Sequence, residues 1–149
     1  MNENMTRKVY LYLSSDSKST FRYISSSKVN EIIIELSSNL QLHGEWECSL
    51  IELHFKLKSP YKYGEYVDVL SDIVEGTNTN SGCQSLLRRV VSEQPKKERI
   101  HYTDLPSRFL RVKLLNLFRV SFRIIEHSDT PKIDTSLPIF FVLEFRKNE

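Results

Sequence analysis

Residues 45–56, EWECSLIELHFK, decide the fold class of this chain, because their polar and apolar side chains alternate. Successive side chains of a β-strand point to opposite faces of its sheet, so alternation predicts a strand with one buried face. The apolar positions follow two phases, first Trp46, Cys48 and Leu50, then Ile51, Leu53 and Phe55. A phase change of one residue predicts a β-bulge, or a strand that bends across a sandwich of two sheets.

The same period of two recurs on either side of this stretch. Further strands are predicted at residues 8–13, 29–36, 65–74, 84–91, 99–102, 109–114, 119–126 and 138–146. All four glycines and four of the five prolines fall between the predicted strands, and Pro138 begins the last one. Because proline cannot donate a hydrogen bond to a β-ladder, this placement is typical of a β protein. Residues 14–28 are rich in serine and are interpreted as a long loop.

The composition of the 149 residues also favours strands over helices. The chain contains no alanine, the best helix former, and is rich in valine, isoleucine, tyrosine and phenylalanine. Its 40% hydrophobic and 27% charged residues are ordinary for a globular domain, and no apolar run approaches the ~18 residues of a membrane span. Residues 107–120 alone carry a pattern that a helix could also explain, with a short helical turn near residues 114–117.

These patterns predict an all-β protein, an antiparallel eight-stranded β-sandwich wound as a single jelly roll. We expect residues 1–149 to form one domain, in which residues 1–28 are an N-terminal arm with one short strand and the serine-rich loop. An immunoglobulin-like sandwich is the alternative. Immunoglobulin domains place their core tryptophan between two cysteines, whereas Trp46 here precedes both Cys48 and Cys83.

The sequence predicts an intracellular, reducing setting, at least while the chain folds. Residues 1–7 are polar and lack the apolar segment of a secretory signal. The chain has two cysteines, Cys48 and Cys83, and without such a signal we expect reduced thiols rather than a disulfide.

Residues able to do chemistry are scattered along the chain. His43, Cys48 and His54 are close in sequence, but Cys48 and His54 point to opposite faces of a regular strand, and zinc needs four converging ligands. A short acidic stretch lacks the ligand spacing of a calcium loop and is interpreted as a solvated strand face and turn; it comprises Asp68, Asp72 and Glu75. No phosphate-binding, nucleophile-elbow or zinc-protease motif occurs. We therefore predict no catalytic, cofactor-binding or metal-binding residues, and a protein that is not an enzyme.

Basic residues cluster in the second half of the chain. The groups are Arg88-Arg89, Lys96-Lys97-Arg99, Arg108-Arg111-Lys113 and Arg119-Arg123. Acidic residues are interleaved with them and the net charge is only +2, which argues against a dedicated nucleic-acid surface. Arg119 and Arg123 share one face of a predicted strand, where solvent or a neighbouring subunit would meet them.

Two segments in the first part of the chain resemble a pattern found in proteins of Polinton/Maverick elements and adintoviruses. IIIEL at residues 32–36, followed by LHGEWECSLIEL at residues 42–53, resembles an apolar strand followed by L-x-G-x-W-E-(small)-(small)-L-x-E. YVDVLSDIV at residues 66–74, followed by Gly82 and LLRRV at residues 86–90, resembles their cDIV-x-x-x-x-G-x-x-x-x-LLRxV segment.

A third segment matches the end of the same pattern. FRI at residues 122–124 leads through a polar loop to FVLEFR at residues 141–146, which is similar to the closing v-x-L-x-F-R. The resemblance covers most of the chain from residue 29 onward, in the same order and spacing.

The family that the pattern indicates is the penton, or minor capsid, protein, a single jelly roll placed at icosahedral vertices beside a double-jelly-roll major capsid protein. The resemblance implies a viral structural protein that forms a homopentamer, contacts the major capsid protein, touches packaged DNA weakly and has no membrane partner. It implies a place in the virion after synthesis in the cytoplasm or nucleus of the host cell. The family brings no catalytic residues, and its motif positions Gly44, Trp46, Leu50 and Phe141 are expected to be turn and core residues. At 149 residues we expect no extra outer domain of the kind many pentons carry.

The alternative function is a non-viral jelly-roll or sandwich module that recognises a protein or ligand through its loops. The two functions differ in assembly, because a penton needs two different complementary faces on each subunit to close a ring.

Overall fold

The computed structural model describes residues 6–16, 19–24, 29–79, 82–91, 99–102, 108–113 and 116–148. These residues form strands, turns and loops, and none of them forms a helix. Within the same ranges no helix is long and apolar enough to cross a membrane. The strands are β1 (Thr6–Ser14), β2 (Ser19–Ile24), β3 (Val29–Gln41), β4 (Glu47–Lys56), β5 (Tyr66–Ser71), β6 (Thr77–Thr79), β7 (Gly82–Gln84), β8 (Leu86–Val91), β9 (Arg99–Tyr102), β10 (Leu110–Arg111), β11 (Asn116–His127) and β12 (Phe140–Asn148).

The strands form two antiparallel sheets that pack face to face. The front sheet has the order β1-β12-β4, with β9 and β10 both paired to the other side of β4. The back sheet has the order β2-β3-β11-β5-β8, and β6 and β7 form a separate hairpin. This arrangement confirms the predicted all-β antiparallel sandwich.

The strand pairing identifies the sandwich as a jelly roll. With β2 and the β6–β7 hairpin set aside, and with β9 and β10 counted as one edge strand, eight strands remain. β1 pairs with β12, β3 with β11, β4 with the edge strand made of β9 and β10, and β5 with β8. In chain order this is first with last, second with seventh, third with sixth and fourth with fifth, as two interlocked Greek keys require. The eight-stranded jelly roll is therefore confirmed, and the immunoglobulin-like alternative is wrong.

Strand β4 contains the β-bulge that its sequence predicts. Leu50 lies opposite Leu143 of β12, and Glu52 lies opposite Val142, so Ile51 is the extra residue between them. The apolar side chains of β4 are buried on both sides of the bulge. The bulge therefore lets one strand keep an apolar face toward the core although its alternation changes phase.

The core lies between the two sheets and is rich in aromatic side chains. Phe122 of β11 and Phe141 of β12 stack across the sheets with their ring centroids 3.9 Å apart. Trp46 is buried, as predicted, and its Nε1 donates a hydrogen bond of 2.9 Å to the carbonyl oxygen of His43. Gly44 lies in the turn before β4 with φ of 89°, a left-handed conformation that favours glycine.

The N-terminal part of the chain differs from the prediction. The segment predicted as a serine-rich loop contains β2, a strand of six residues that pairs with β3. Strand β1 is nine residues long and pairs with β12 in unbroken register, so it is part of the front sheet rather than of an arm. Strand β2 was missed because it lies at an edge with both faces partly exposed, and such a strand has no buried face to impose alternation.

The segment with the ambiguous pattern is also extended. Leu110 and Arg111 form β10, shorter than the strand predicted at residues 109–114, and β11 begins at Asn116. The helical interpretation is wrong for the described part of residues 107–120. Residues 114–115, within the predicted helical turn, lie outside the described residues.

Candidate functional site

The residues first considered as metal ligands do not converge. His43 is exposed before β4, Cys48 is fully buried in β4, and His54 is half-buried on the outer face of the front sheet. Burial raises the pKa of the Cys48 thiol, so this cysteine stays protonated and packs as a small apolar side chain. The side chains of Cys83 and His101 lie outside the described part of the chain. Among the described residues, no three His, Cys, Asp or Glu side chains are grouped so that they could hold a metal ion.

The acidic stretch is divided between different environments. Asp68 is buried on the outer side of β5, whereas Asp72 is exposed and accepts a hydrogen bond of 3.3 Å from the backbone N–H of Ser121. Glu75 is exposed beyond the turn. The interpretation of these carboxylates as a solvated strand face is therefore wrong for Asp68 and right for the other two.

Asp68 is the centre of a compact polar group, here called the Asp68 cluster, which joins β5, β8 and β11. Its carboxylate accepts two hydrogen bonds from the guanidinium of Arg89, at 2.7 and 2.9 Å. The Nε2 atom of His127 lies 3.0 Å from the Oδ2 atom of the same carboxylate. Tyr66 covers the cluster, because its ring stacks on His127 with centroids 4.3 Å apart and lies 4.5 Å from the Arg89 guanidinium.

The Asp68 cluster has part of the chemistry of a catalytic triad but not all of it. In a triad the aspartate orients a histidine whose other nitrogen faces a nucleophile. Within the described ranges, His127 makes a hydrogen bond to Asp68 and none to a hydroxyl or thiol group. The hydrogen bond that Arg89 donates to Asp68 raises the pKa of Arg89, so its guanidinium group stays charged. The arrangement therefore serves to join three strands of the back sheet.

A second polar group, here called the loop clasp, fixes the loop between β11 and β12. Its centre is Glu126, whose side chain is buried at the end of β11. This carboxylate accepts hydrogen bonds from the hydroxyl of Tyr61 at 2.9 Å and from the backbone N–H groups of Lys132 at 2.9 Å and Ile133 at 3.2 Å. One acidic side chain thus holds the β4–β5 loop and the β11–β12 loop together.

Lys132 supplies the ionic half of the loop clasp. Its side chain is 5% exposed, and its Nζ atom lies 2.7 Å from Glu65 and 3.1 Å from Asp129. Burial opposes the ionisation of Glu65, but Lys132 and the backbone N–H groups of Lys62 and Asp129 outweigh it and lower the pKa of Glu65. Hydrogen bonds from Lys62 and Lys132 hold the pKa of Asp129 well below its usual range. Lys132, Glu65 and Asp129 therefore stay ionised at neutral and mildly acidic pH.

Exposed aromatic side chains gather at the side of the sandwich that β1 and β2 form, here called the aromatic edge. Tyr10 and Tyr12 of β1 and Phe140 of β12 are exposed on the outer face of the front sheet. Phe21 and Tyr23 of β2 are 37% and 36% exposed. These five side chains are most of the eight exposed large hydrophobic ones in the described part of the chain, and all five lie on β1, β2 or β12, the strand that neighbours β1.

The opposite side of the sandwich, formed by β8 and β10, is here called the arginine edge. Arg88 and Arg89 are consecutive residues of β8, and Arg108 and Arg111 lie at β10. Arg111 makes an exposed ion pair with Glu45 at 3.3 Å. The two lateral edges therefore differ in balance. Exposed aromatic rings predominate on the first, where Arg7 and Arg22 also lie, and arginines predominate on the second, where Tyr66 and Phe109 also lie.

Two further arginines lie on the outer face of the back sheet. Arg119 and Arg123 of β11 are both exposed, as their shared strand face predicts. Arg119 lies opposite Glu35 of β3, and Arg123 lies opposite Glu31. Lys96 and Lys97 lie outside the described residues.

Comparisons with known proteins include a remote structural similarity. No protein-family model matches the chain, and no curated protein matches it. Among solved structures, the chain is similar to a chain in the structure of infectious bursal disease virus Gt strain, with 8% sequence identity and a TM-score of 0.25. The match covers 96% of this chain and 41% of that chain, so this chain spans less than half the length of the protein it matches. A TM-score of this size carries no argument about function.

Sequence reasoning missed both polar clusters, although one left a signal. In β11 the inward phase runs through Val120, Phe122 and Ile124 and reaches Glu126 next. A carboxylate in the buried phase of a strand predicts buried hydrogen-bond donors around it, and the loop clasp supplies them. The partners of Asp68 left no such signal, because Arg89 and His127 reach it only through the long-range pairing of three strands.

Proposed function

We propose that this protein is a viral structural protein, a penton or minor capsid protein that occupies the five-fold vertices of a virion beside a double-jelly-roll major capsid protein. The observation that carries the proposal is the complete eight-stranded jelly-roll pairing, which is the fold that the sequence resemblance implies. The motif positions of that resemblance lie where a structural role needs them. Trp46, Leu50 and Phe141 are buried in the core, and Gly44 has positive φ.

The surface supports an assembly role. Closing a ring from identical subunits takes a heterologous contact, in which one face of each subunit meets a different face of the next. The aromatic edge and the arginine edge are two such different faces on opposite sides of one sandwich. The polar clusters on the described residues tie strands and loops together, as a rigid building block requires.

The test is co-assembly of the purified chain with the major capsid protein of the same element, followed by electron cryomicroscopy of the particles. We expect density for one jelly roll per subunit, arranged five-fold at the vertices. Particles whose vertices lack this chain would refute the penton function. A binding screen of the same chain would then address the alternative, a module that recognises a protein or ligand through its loops.

Two control variants separate a harmless change of the surface from a loss of folding. The Glu35→Gln variant changes an exposed side chain of the back sheet that is none of the aromatic or arginine residues of the two edges, so it is expected to co-assemble like the wild type. A variant with a damaged core, such as Phe122→Ala, is expected to fold poorly and to be absent from the particles, because large-to-small changes of a buried phenylalanine cost about 3–5 kcal/mol.

A further inference from the structure

We propose that the aromatic edge of one copy packs against the arginine edge of the next copy, with Tyr23 and Arg88 at the centre of the contact. This inference rests on the proposed function, because it names the two faces through which the ring would close. It adds the surface, the residues and the kind of contact, none of which the fold alone provides.

The register of the back sheet places the two residues at the same level on opposite edges. Tyr23 of β2 lies opposite Asn30 of β3, and Asn30 lies opposite Ile124 of β11. Ile124 lies opposite Val69 of β5, and Val69 lies opposite Arg88 of β8. Directly paired residues of antiparallel strands share one face, so Tyr23 and Arg88 end the same inward row.

At the β2 end of this row, the core-facing side of the back sheet is only partly covered by the rest of the protein. Phe21 lies opposite Ile32, which is fully buried, and points to the same side of the sheet. Yet Phe21 and Tyr23 are each more than a third exposed, because β2 extends the back sheet beyond the eight strands of the jelly roll. Phe21 and Tyr23 therefore form an exposed apolar extension of the core, which can pack against another protein surface.

At the β8 end of the row, Arg88 supplies a side chain that can bind an aromatic surface. Burial lowers the pKa of Arg88, and the neighbouring Arg108 lowers it further, so a second positive charge lies near this guanidinium group. An aromatic ring attracts a guanidinium group through its quadrupole. Tyrosine and arginine are also the side chains most often found at the energetic centres of protein interfaces.

The molecule already uses this contact within one chain. The guanidinium group lies 3.6 Å from the ring centroid in the Arg146–Phe109 pair and 4.5 Å from it in the Arg89–Tyr66 pair. The neighbouring rows are also compatible with edge-to-edge packing. The row that ends in Arg22 on β2 ends in Leu86 on β8, so arginine is not set against arginine.

Cysteine cross-linking tests the contact directly. The variants Tyr23→Cys and Arg88→Cys are made separately, mixed and oxidised, both as free chains at high concentration and within particles assembled with the major capsid protein. Because the contact joins two different edges, the mixture should give more Tyr23→Cys with Arg88→Cys heterodimer than random collision would. The double variant should give a ladder of oligomers that closes into a ring.

Geometry excludes the main artefact of the double variant. The two positions are separated by four strand spacings, about 19 Å at ~4.8 Å each, whereas a disulfide needs Cα atoms within about 7 Å. An intramolecular bridge therefore cannot form in the folded chain. Wild-type protein treated alike reports any cross-link made by Cys48 or Cys83, and circular dichroism checks that each variant is folded.

The matched control is Tyr63→Cys, mixed with Arg88→Cys. Tyr63 is the most exposed tyrosine of the described residues, at 80%, and it lies in the β4–β5 loop away from the aromatic edge. Equal cross-linking of this control, or no heterodimer excess in either setting, would overturn the proposed contact. If the chain occupies the vertices but does not cross-link at these positions, the contact fails while the penton function stands. If the vertices lack the chain, the penton function fails whatever the cross-linking shows.

Discussion

The buried carboxylate of Glu126 should be one of the most sensitive positions in the protein. The change Glu126→Leu puts a branched apolar side chain, one bond shorter, in place of the glutamate and removes every side-chain oxygen from the centre of the loop clasp. The backbone N–H groups of Lys132 and Ile133 then lose their acceptor, and Tyr61 loses a hydrogen bond of 2.9 Å. Both Lys132 and Ile133 are buried, so solvent cannot easily replace the lost oxygen atoms.

The size of the effect follows from these contacts. A buried donor that loses its acceptor costs about 1–3 kcal/mol, so two backbone donors predict a loss of about 2–6 kcal/mol in the free energy of unfolding. The conservative change Glu126→Gln keeps one oxygen, which can still serve Lys132, but directs an amide NH₂ group toward the second site. We therefore expect a smaller loss for this variant, of about 1–2 kcal/mol.

Urea unfolding measures these losses, with the fluorescence of Trp46, the single tryptophan, as the probe. Glu35→Gln is the matched control, because Glu35 is an exposed carboxylate in β3, and surface changes of this kind stay within about 0.5 kcal/mol. A loss below about 1 kcal/mol for Glu126→Leu would refute the view that this carboxylate satisfies buried donors.

Three further predictions concern the core, the clasp and the Asp68 cluster. Trp46→Ala should cost about 3–5 kcal/mol, and an unchanged melting temperature would place the indole at the surface. Because their pKa values are lowered in the folded protein, Glu65 and Asp129 stabilise it fully above their unfolded pKa values near 4, and this stabilisation falls as pH drops toward the folded values. Lys132→Met should therefore flatten the decline of unfolding free energy between about pH 5 and pH 2, and parallel wild-type and variant curves would contradict this. Asp68→Asn should lower the melting temperature, whereas an equal melting temperature would show that the buried ion pair adds no net stability.

The parts of the fold that burial dictates could be predicted from the sequence. The phase change between Leu50 and Ile51 predicted a bulge, and the bulge occurs there because both halves of β4 must face one core. The run of Ile139, Phe141, Leu143 and Phe145 likewise predicted the inward face of β12, and all four side chains are buried.

The parts that depend on long-range pairing could not be predicted in the same way. Phe21 and Tyr23 lie in a strand that shares no fully buried face, so local alternation gave no sign of β2. The Asp68–His127 contact joins residues 59 positions apart, and the local sequence around each residue does not indicate that the two are in contact. Sequence periodicity reports which side chains face inward, but it does not report which strand lies beside which.

The position of β12 between β1 and β4 has a consequence for synthesis on the ribosome. Both sheets lack a central strand until late in translation, because β3 and β5 of the back sheet both pair with β11, and β1 and β4 of the front sheet both pair with β12, the last strand of the chain. Since a ribosome adds about 5–20 residues per second, β1 and β4 wait for several seconds with unpaired edges. Such edges can pair with other nascent chains, so we expect this protein to fold only after its translation is nearly finished and to depend on chaperones that shield β1 and β4 until then.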